Sequence, residues 1–200
     1  MAQMQKTEEV ANKHSHIVQD RPFTEMVVGV DPGLRGGIAV FDCVKSKIIT
    51  AFPMPVYKGD SNKTTYDVPT LVGMLRKVIR FSPSCRDDSY TFCIERQHPL
   101  PGQGVVSMFT TGFGFGLLLG VFASIKAVYD VMFIVRAKEW QSILWDEDAP
   151  DETKARSIAR VQRLFPSVDL CPNGRKRPSD GIADAVNIAH YAFLRMCDPC

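Results

Sequence analysis

The segment Met26-Val-Val-Gly-Val30 is a continuous apolar run, and Asp31-Pro-Gly33 follows it at once. A short aliphatic run bounded by turn residues is typical of a strand that is buried on both faces of a sheet. Asp before Pro-Gly is a common turn signal, so we expect the strand to end at Asp31. The chain therefore places a carboxylate at the carboxyl end of its first buried strand.

Four more β-type runs extend the pattern outward from this strand. Ile38–Phe41 and Lys47–Phe52 follow short polar turns, which predicts an antiparallel meander. Tyr90–Ile94 and Val131–Val135 follow helical segments, and such crossovers predict parallel pairing with the first strand. Helices are predicted over Asp67–Arg80, Val105–Ile125, Ala137–Leu144, Glu152–Leu164 and Asp180–Arg195, the last capped by Ser179. We therefore predict an α/β fold, a mixed five-stranded sheet with helices on both faces, in the outline of the ribonuclease H-like architecture.

Length and composition describe one globular domain. The chain has 200 residues, 45% of them hydrophobic and 23% charged, with a net charge of +2. These values exclude a disordered chain, a collagen and a coiled coil. Residues 1–24 are polar and lack the apolar stretch of a secretory signal, so we interpret them as a flexible leader and residues 25–197 as the folded domain. The six cysteines are scattered, as expected of reduced thiols.

The segment from Val105 to Ile125 has no charged residue and is long enough to span a bilayer. It carries Gly112, Gly116 and Gly120 at the spacing of close helix pairs. Prolines, glycines and hydroxyl side chains at its start argue against a membrane span. We expect a buried helix whose glycines admit a close neighbour, with its phenylalanines serving either the core or a subunit interface.

Two pairs of carboxylates are candidates for chemistry. Asp31 and Glu95 end the first and fourth strands, which are predicted to be parallel neighbours, so both side chains emerge at the same sheet edge. Asp180 and Asp184 are four residues apart and share one face of the last helix. Taken alone, that face fits a solvated acidic surface as well as it fits a functional one.

Four converging carboxylates repel one another, and hard divalent cations relieve such repulsion. The pattern predicts a site for a pair of Mg²⁺ ions, the arrangement that serves phosphodiester hydrolysis. One ion would activate a water, and the other would stabilise the leaving 3′ oxygen. Zinc is not expected, because no His or Cys is predicted near all four acids.

The region from Thr153 to Arg177 is strongly basic. It holds seven basic residues and one acid, Asp169, which is a local charge of +6. Arg156, Arg160 and Arg163 recur at helical spacing, and a second basic run ends just before Asp180. A basic helix face is usually solvated surface, but one that runs into a carboxylate cluster predicts a polyanion held over metal ions. No aromatic residues interleave the arginines, which favours contact with a duplex backbone.

Four motifs in this order resemble the RuvC-type Holliday junction resolvases, and within that family the plant chloroplast members of the monokaryotic-chloroplast type. The motifs are Val30-Asp-Pro-Gly33, Ile94-Glu-Arg-Gln97, Val135-Arg-Ala-Lys138 and Ser179-Asp-Gly-Ile-Ala-Asp-Ala-Val-Asn-Ile-Ala189. The resemblance runs from about Val27 to Leu194, which implies that residues 25–197 are a RuvC-like nuclease domain. It implies a homodimer that resolves four-way DNA junctions by paired symmetric nicks, leaving 5′-phosphate and 3′-hydroxyl ends. It also implies a preference for a cytosine pair, a requirement for two Mg²⁺ ions per site, which Mn²⁺ can replace, and a location in the chloroplast stroma or nucleoid.

The same resemblance assigns roles to residues. Asp31, Glu95, Asp180 and Asp184 match the family's catalytic metal-binding acids, and Lys138 and Lys154 match lysines near the scissile phosphate. The expected DNA contacts are Arg35, Arg96, Gln97, His98, Lys138, Lys154, Arg156, Arg160, Arg175, Lys176 and Arg177. Two features depart from the bacterial pattern: the last two acids are four rather than three residues apart, and no aromatic wedge follows Glu95.

Three alternatives remain beside a junction nuclease. An actin-like or kinase-like ATPase would need two duplicated domains, and the glycines between Gly112 and Gly116 lack the Lys-Ser/Thr of a phosphate-binding loop, so no nucleotide cofactor is expected. A related nuclease acting on RNA–DNA hybrids or other branched nucleic acids would share the carboxylates. A junction-binding module without activity would not depend on metal.

Overall fold

The computed structural model of the protein describes residues 25–59, 62–80, 90–99, 102–125, 132–145 and 152–197, with the side chains of residues 79 and 80 outside the description. The predicted leader, the acidic residues 146–151 between the third and fourth predicted helices, Val131, Cys85 and Cys200 lie outside the described residues. The four described cysteines are free thiols.

A five-stranded sheet forms the centre of the fold. Its strands are β1 (Met26–Asp31), β2 (Gly37–Asp42), β3 (Lys47–Pro53), β6 (Tyr90–Glu95) and β7 (Met132–Val135), in the spatial order β3-β2-β1-β6-β7. The first three strands pair antiparallel, while β6 pairs parallel to both β1 and β7. The predicted mixed sheet is therefore confirmed, including the meander and the two parallel crossovers.

Helices cover both faces of this sheet, as predicted. They are α1 (Val68–Arg80), α2 (Val105–Ile125), α3 (Ala137–Leu144), α4 (Thr153–Leu164) and α5 (Asp180–Cys197). Because side chains alternate along a strand, β1 feeds two separate cores. Val27 packs with residues of α3, α4 and α5, whereas Val28 and Val30 pack with residues of α1 and α2. Ser179 caps α5 as expected, since its hydroxyl oxygen accepts from the amide of Ile182 at 3.4 Å.

A small hairpin between β3 and α1 was not predicted. It consists of β4 (Val56–Lys58) and β5 (Thr64–Tyr66), which pair antiparallel. Strands of three residues, exposed on one side, carry too little hydrophobic alternation to be recognised in the sequence. The hairpin ends in Tyr66, whose ring is buried and whose hydroxyl donates to the carbonyl of Pro32 at 2.8 Å.

The structure corrects the expectation for α2. Only one face of this helix is buried, through Gly114, Leu118, Val121 and Phe122. Gly114 is the glycine that admits a close neighbour, because the ring of Tyr66 fills the space of its missing side chain. A methyl group placed on Gly112, Gly116 or Gly120 would meet no atom of the described chain. The helix is long and apolar enough to cross a membrane by length and composition, and 22% of its most apolar window is buried.

Candidate active site

Asp31 and Glu95 lie side by side at the carboxyl edge of the sheet. Val30 of β1 pairs with Ile94 of β6 in a parallel ladder, so the residue after each member of this pair emerges at the same level. Asp31 Oδ1 also accepts a hydrogen bond from the amide of Gly33 at 3.2 Å, which folds the turn back against the carboxylate. The predicted pairing of these two strand-end acids is confirmed.

Glycine contacts bring α5, with its two aspartates, to the same edge. Gly29, in the middle of β1, packs directly against the backbone of Ala185 and Ala189, where a side chain would collide with the helix. Gly36 forms an isolated β-bridge with Gly181, and both glycines are tightly enclosed by neighbouring backbone. The start of α5 is therefore fixed to the β1–β2 turn, which sets Asp180 and Asp184 beside Asp31. These glycine contacts had no signal in the sequence beyond the glycines themselves.

The face of α5 that carries the aspartates turns inward. Asn187 is fully buried and Tyr191 is largely buried, although both share this face with Asp180 and Asp184. Burial along this stripe excludes a simple solvated acidic surface, which is the interpretation that the sequence left open.

The carboxylates perturb one another. Burial, together with the charges of Glu95 and Asp180, raises the pKa of Asp31 to about 7. Burial and the charges of Asp31 and Asp180 likewise raise the pKa of Asp184 to about 7. A hydrogen bond from Ser157 lowers this pKa and offsets part of the rise. The pKa of Glu95 is also raised, by burial first and by Asp184 among the charges. Buried, mutually repelling carboxylates are the environment expected of a functional site.

Asp180 differs because a lysine accompanies it. Lys154 Nζ, at the start of α4, lies 2.7 Å from Asp180 Oδ2. Partial burial would raise the pKa of Asp180, but the hydrogen bond and charge of Lys154 outweigh it and lower that pKa. The pKa of Lys154 is raised in turn, mainly by the hydrogen bond to Asp180. Lys138 is exposed in the first turn of α3, and no ion pair joins it to the carboxylates within the described residues.

Two side chains hold Glu95, and neither was predicted to contact it. The indole Nε1 of Trp140 donates to Glu95 Oε2 at 2.8 Å, and Trp140 is fully buried in α3. Gln97, expected to contact DNA, places its amide nitrogen 3.5 Å from Glu95 Oε1. In the sequence Trp140 has the pattern of an ordinary core residue of an amphipathic helix, so its role was not visible there.

The four carboxylates are suitable ligands for a hard divalent cation, although their side chains do not converge on one position. Four carboxylates supply only oxygen ligands, which Mg²⁺ and Mn²⁺ prefer. Within the part of the chain that the structure describes, no three His, Cys, Asp or Glu side chains lie close enough to form a ready metal-binding group. Asp180 is turned to Lys154, and Glu95 is turned to Trp140.

Most residues of the basic region and of the expected DNA contacts are exposed, and Lys154 lies beside the carboxylates. Exposed members are Arg35, Arg96, His98, Lys138, Lys154, Arg163, Arg175, Lys176 and Arg177. Arg156 is partly buried, with its guanidinium 5.5 Å from the centre of the Trp145 ring. Leu100, in the segment that follows β6, lies outside the described chain.

Arg160, one of the expected DNA contacts, makes hydrogen bonds within the protein. Its Nε donates to the carbonyl of Leu144 at 3.0 Å, its Nη1 to Asn187 Oδ1 at 2.8 Å, and its Nη2 lies 3.0 Å from His190 Nδ1. The guanidinium thus joins α4 to α5 and the end of α3. Helical spacing grouped Arg160 with Arg156 and Arg163, and its contact with DNA stays a prediction beside this role between helices.

Comparisons with known proteins show the fold. No protein-family model and no curated protein matches the sequence. The structure is similar to Thermus thermophilus RuvC in complex with a Holliday junction substrate, with a TM-score of 0.52 and 18% identity over 86% of this chain and 95% of that one. It is also similar to the yeast mitochondrial Holliday junction resolvase Ydc2, with a TM-score of 0.53 and 15% identity over 90% of this chain and 83% of that one. The chain therefore has the ribonuclease H-like fold of these proteins.

Proposed function

We propose that this protein is a metal-dependent endonuclease that resolves four-way DNA junctions by paired symmetric nicks, leaving 5′-phosphate and 3′-hydroxyl ends. The observation that carries the proposal is that Asp31, Glu95, Asp180 and Asp184 lie near one sheet edge, close enough for their charges to act on one another. The fold neighbours support it, because one is a Holliday junction resolvase and the other is in complex with a Holliday junction substrate. The resemblance of the four sequence motifs points to the same substrate.

The four carboxylates would hold two Mg²⁺ or Mn²⁺ ions, which when bound supply an activated water and stabilise charge on the phosphate oxygens. A bound cation would favour the charged form of Asp31 and Asp184, which burial and mutual repulsion otherwise oppose. Lys154 is positioned to exchange its ion pair with Asp180 for the scissile phosphate, where its ammonium would stabilise the charge of the transition state. Lys138 is proposed to act nearby on the resemblance alone.

A groove beside the carboxylates offers room for a nucleic-acid strand. Its volume is about 440 Å³, and it opens next to the turn that follows Asp31. Its lining combines hydrogen-bonding side chains with one exposed guanidinium: Pro32, Gly33, Leu34, Arg35, Tyr66, Gln97, Ser107, Thr110 and Thr111. Such a mixture suits the sugar-phosphate backbone, which needs donors and a positive charge. The exposed basic residues of α4 and of the segment before α5 would continue this contact.

We further propose that α2 forms the homodimer interface. Its exposed face carries Val105, Val106, Phe109 and Phe113, and the last two rings stack with centroids 6.3 Å apart. The open Gly112, Gly116 and Gly120 would let a second helix approach closely. An exposed apolar helix face of this kind marks an interaction site, and a second copy of the chain supplies the matching face. The chloroplast location and the cytosine preference are proposals that rest on the sequence resemblance.

The test compares substrates in one assay. A synthetic four-way junction with a mobile, cytosine-rich core, a linear duplex of the same arms and an RNA–DNA hybrid are each end-labelled and incubated with the protein and Mg²⁺. We expect symmetric nicks in opposing strands of the junction only, and ligase should seal them. Equal cleavage of the hybrid or the duplex would support the proposed hydrolysis but overturn the proposed specificity for junctions. Binding of the junction without cleavage would overturn the proposal of nuclease activity.

A further inference from the structure

A buried chain of polar side chains connects α4 to the candidate metal site. Ser157 of α4 and Asn187 of α5 are both fully buried. Asn187 Nδ2 donates to Ser157 Oγ at 2.8 Å and to the Ser157 carbonyl at 3.2 Å. Asp184 lies one helical turn before Asn187 in α5, and a hydrogen bond from Ser157 lowers the pKa of its carboxyl against the effect of burial. A buried serine and asparagine that are fully engaged in this way need a reason beyond packing, because apolar residues would fill the space without such requirements.

The direction of each hydrogen bond is fixed by the far end of the chain. Arg160 Nη1 donates to Asn187 Oδ1 at 2.8 Å, and a guanidinium can only donate, so the amide oxygen must face it. The amide nitrogen then faces Ser157 and donates to its hydroxyl oxygen. A hydroxyl has a single hydrogen, so that hydrogen is left for the carboxylate of Asp184.

The arginine that sets this direction is itself held rigidly. Besides Asn187, it donates to the carbonyl of Leu144 at 3.0 Å, and its Nη2 faces His190 Nδ1 at 3.0 Å. His190 accepts this hydrogen bond in its neutral form, since burial and the charge of Arg160 lower its pKa to about 4. Rings of Phe41, Phe165 and Phe193 enclose His190 on its other sides. The anchor is therefore partly buried and held from several sides.

We propose that Ser157 and Asn187 are positioning residues: with Arg160 as anchor, they aim the Ser157 hydroxyl at Asp184 and orient its carboxylate for the metal. This inference rests on the proposed function of the carboxylate cluster. Hydrogen bonds to ligating carboxylates typically change metal affinity by about 10–100-fold, because they remove the freedom of the ligand to turn away.

Two variants test the proposal by Mn²⁺ titration calorimetry on the full chain, alongside junction nicking. Ser157→Ala removes the donor to Asp184, and we expect Mn²⁺ affinity to fall about tenfold or more. Ser142→Ala is the matched control, since it removes an exposed serine of α3 whose hydroxyl donates to the carbonyl of Glu139 in its own helix. This control should bind Mn²⁺ like the parent. Restoration of the affinity by Ser157→Thr would support positioning by the hydroxyl.

Asn187→Asp reverses the hydrogen bond without changing the size of the side chain. The introduced carboxylate has no donor for Ser157, so the hydroxyl would turn to it and away from Asp184, while Arg160 keeps its partner. The added negative charge alone would tighten Mn²⁺ binding, so weaker binding identifies the lost hydrogen bond. Unchanged or tighter Mn²⁺ binding in Ser157→Ala, or in Asn187→Asp if the first variant does not fold, would overturn the inference. Failure of the parent protein to nick a junction would instead overturn the proposed function, and the Mn²⁺ result would stand by itself.

Discussion

Lys154 Nζ lies 2.7 Å from Asp180 Oδ2, and this ion pair divides the carboxylate cluster into two kinds of group. The lysine lowers the pKa of Asp180, whereas burial and mutual repulsion raise the pKa of Asp31 and of Asp184 to about 7. Asp180 is therefore ready to act as an anionic ligand, and the other two gain most from a neighbouring cation. The lysine also lies where it can reach a phosphate that approaches the carboxylates.

Replacement of this lysine by methionine should separate catalysis from folding. We expect Lys154→Met to slow junction nicking by about tenfold or more at saturating Mg²⁺, because a positive charge is lost beside the reacting phosphate. The free energy of unfolding should change by less than about 1 kcal/mol, since exposed ion pairs contribute little. Single-turnover nicking and urea denaturation measure the two effects. Lys77→Met, which removes an exposed cation of α1 outside the residues proposed to contact DNA, should retain the nicking rate, and an equal loss in both variants would indicate a general effect of charge.

The indole of Trp140 should matter through its nitrogen. Trp140→Phe keeps an aromatic ring in the core but removes the 2.8 Å hydrogen bond to Glu95. We expect a higher Mg²⁺ concentration for half-maximal nicking and a loss of about 1–3 kcal/mol in stability, because a buried carboxylate loses a donor. A titration of nicking against Mg²⁺ measures the first effect.

Trp145→Phe is the control for that experiment. Trp145 packs edge-to-face on Trp140 with centroids 5.7 Å apart, and its buried Nε1 has no hydrogen-bond acceptor within the described residues. Its replacement should leave the Mg²⁺ requirement unchanged. The same shift in both variants would show that aromatic packing, and not the hydrogen bond, sets the requirement.

The contact between Gly29 and α5 should tolerate no side chain. Gly29→Ala places a methyl group against the backbone of Ala185 and against Ala189, so we expect a loss of about 1–3 kcal/mol or more from overpacking, together with loss of nicking as α5 moves. Gly73→Ala, at an exposed position of α1 where the new methyl meets no described atom, should stabilise the protein by roughly 0.5–1 kcal/mol. Urea denaturation of both variants makes the comparison, and equal stabilities would contradict the described packing.

Neutralising Asp184 should stabilise the protein when no divalent metal is present. The pKa of Asp184 is raised from 3.8 to about 7 by folding, so above pH 7 the charged carboxylate opposes folding in full. As the pH falls from about 7 towards 3.8, Asp184 takes up a proton in the folded chain, and its destabilising effect on folding disappears. Asp184→Asn should therefore raise the Tm in EDTA above pH 7, and the gain should shrink over that same interval. Mg²⁺ should raise the Tm of the parent and have little effect on the variant, and a gain that is independent of pH would argue against carboxylate repulsion.

Much of the fold and the site followed from local patterns in the sequence. Asp31 and Glu95 could be predicted because a strand end fixes where the next side chain emerges, and parallel pairing of β1 with β6 follows from the helical crossover. Whether the aspartate face of α5 is buried or solvated could not be predicted. The spacing places Asp180 and Asp184 on one face but does not say what covers them. Burial of Asn187 decided that question.

Contacts between distant segments were beyond the sequence pattern. Arg160 has the spacing of a surface arginine, and only the packing of α4 on α5 turns it inward to Asn187. The glycines of α2 were expected to sit at one buried contact, but a single glycine, Gly114, receives the ring of Tyr66 from a hairpin too short to predict. In each case the partner lies far away in the chain and is chosen by three-dimensional fit.

The most direct test of the central claim is strand cleavage of a four-way junction by the parent protein and by Asp184→Asn, each with and without Mg²⁺. We predict paired nicks by the parent in the presence of Mg²⁺ alone and none by the variant, with junction binding retained in both proteins. Cleavage by the variant at the rate of the parent, or cleavage by the parent in EDTA, would contradict a metal-dependent nuclease built on these carboxylates.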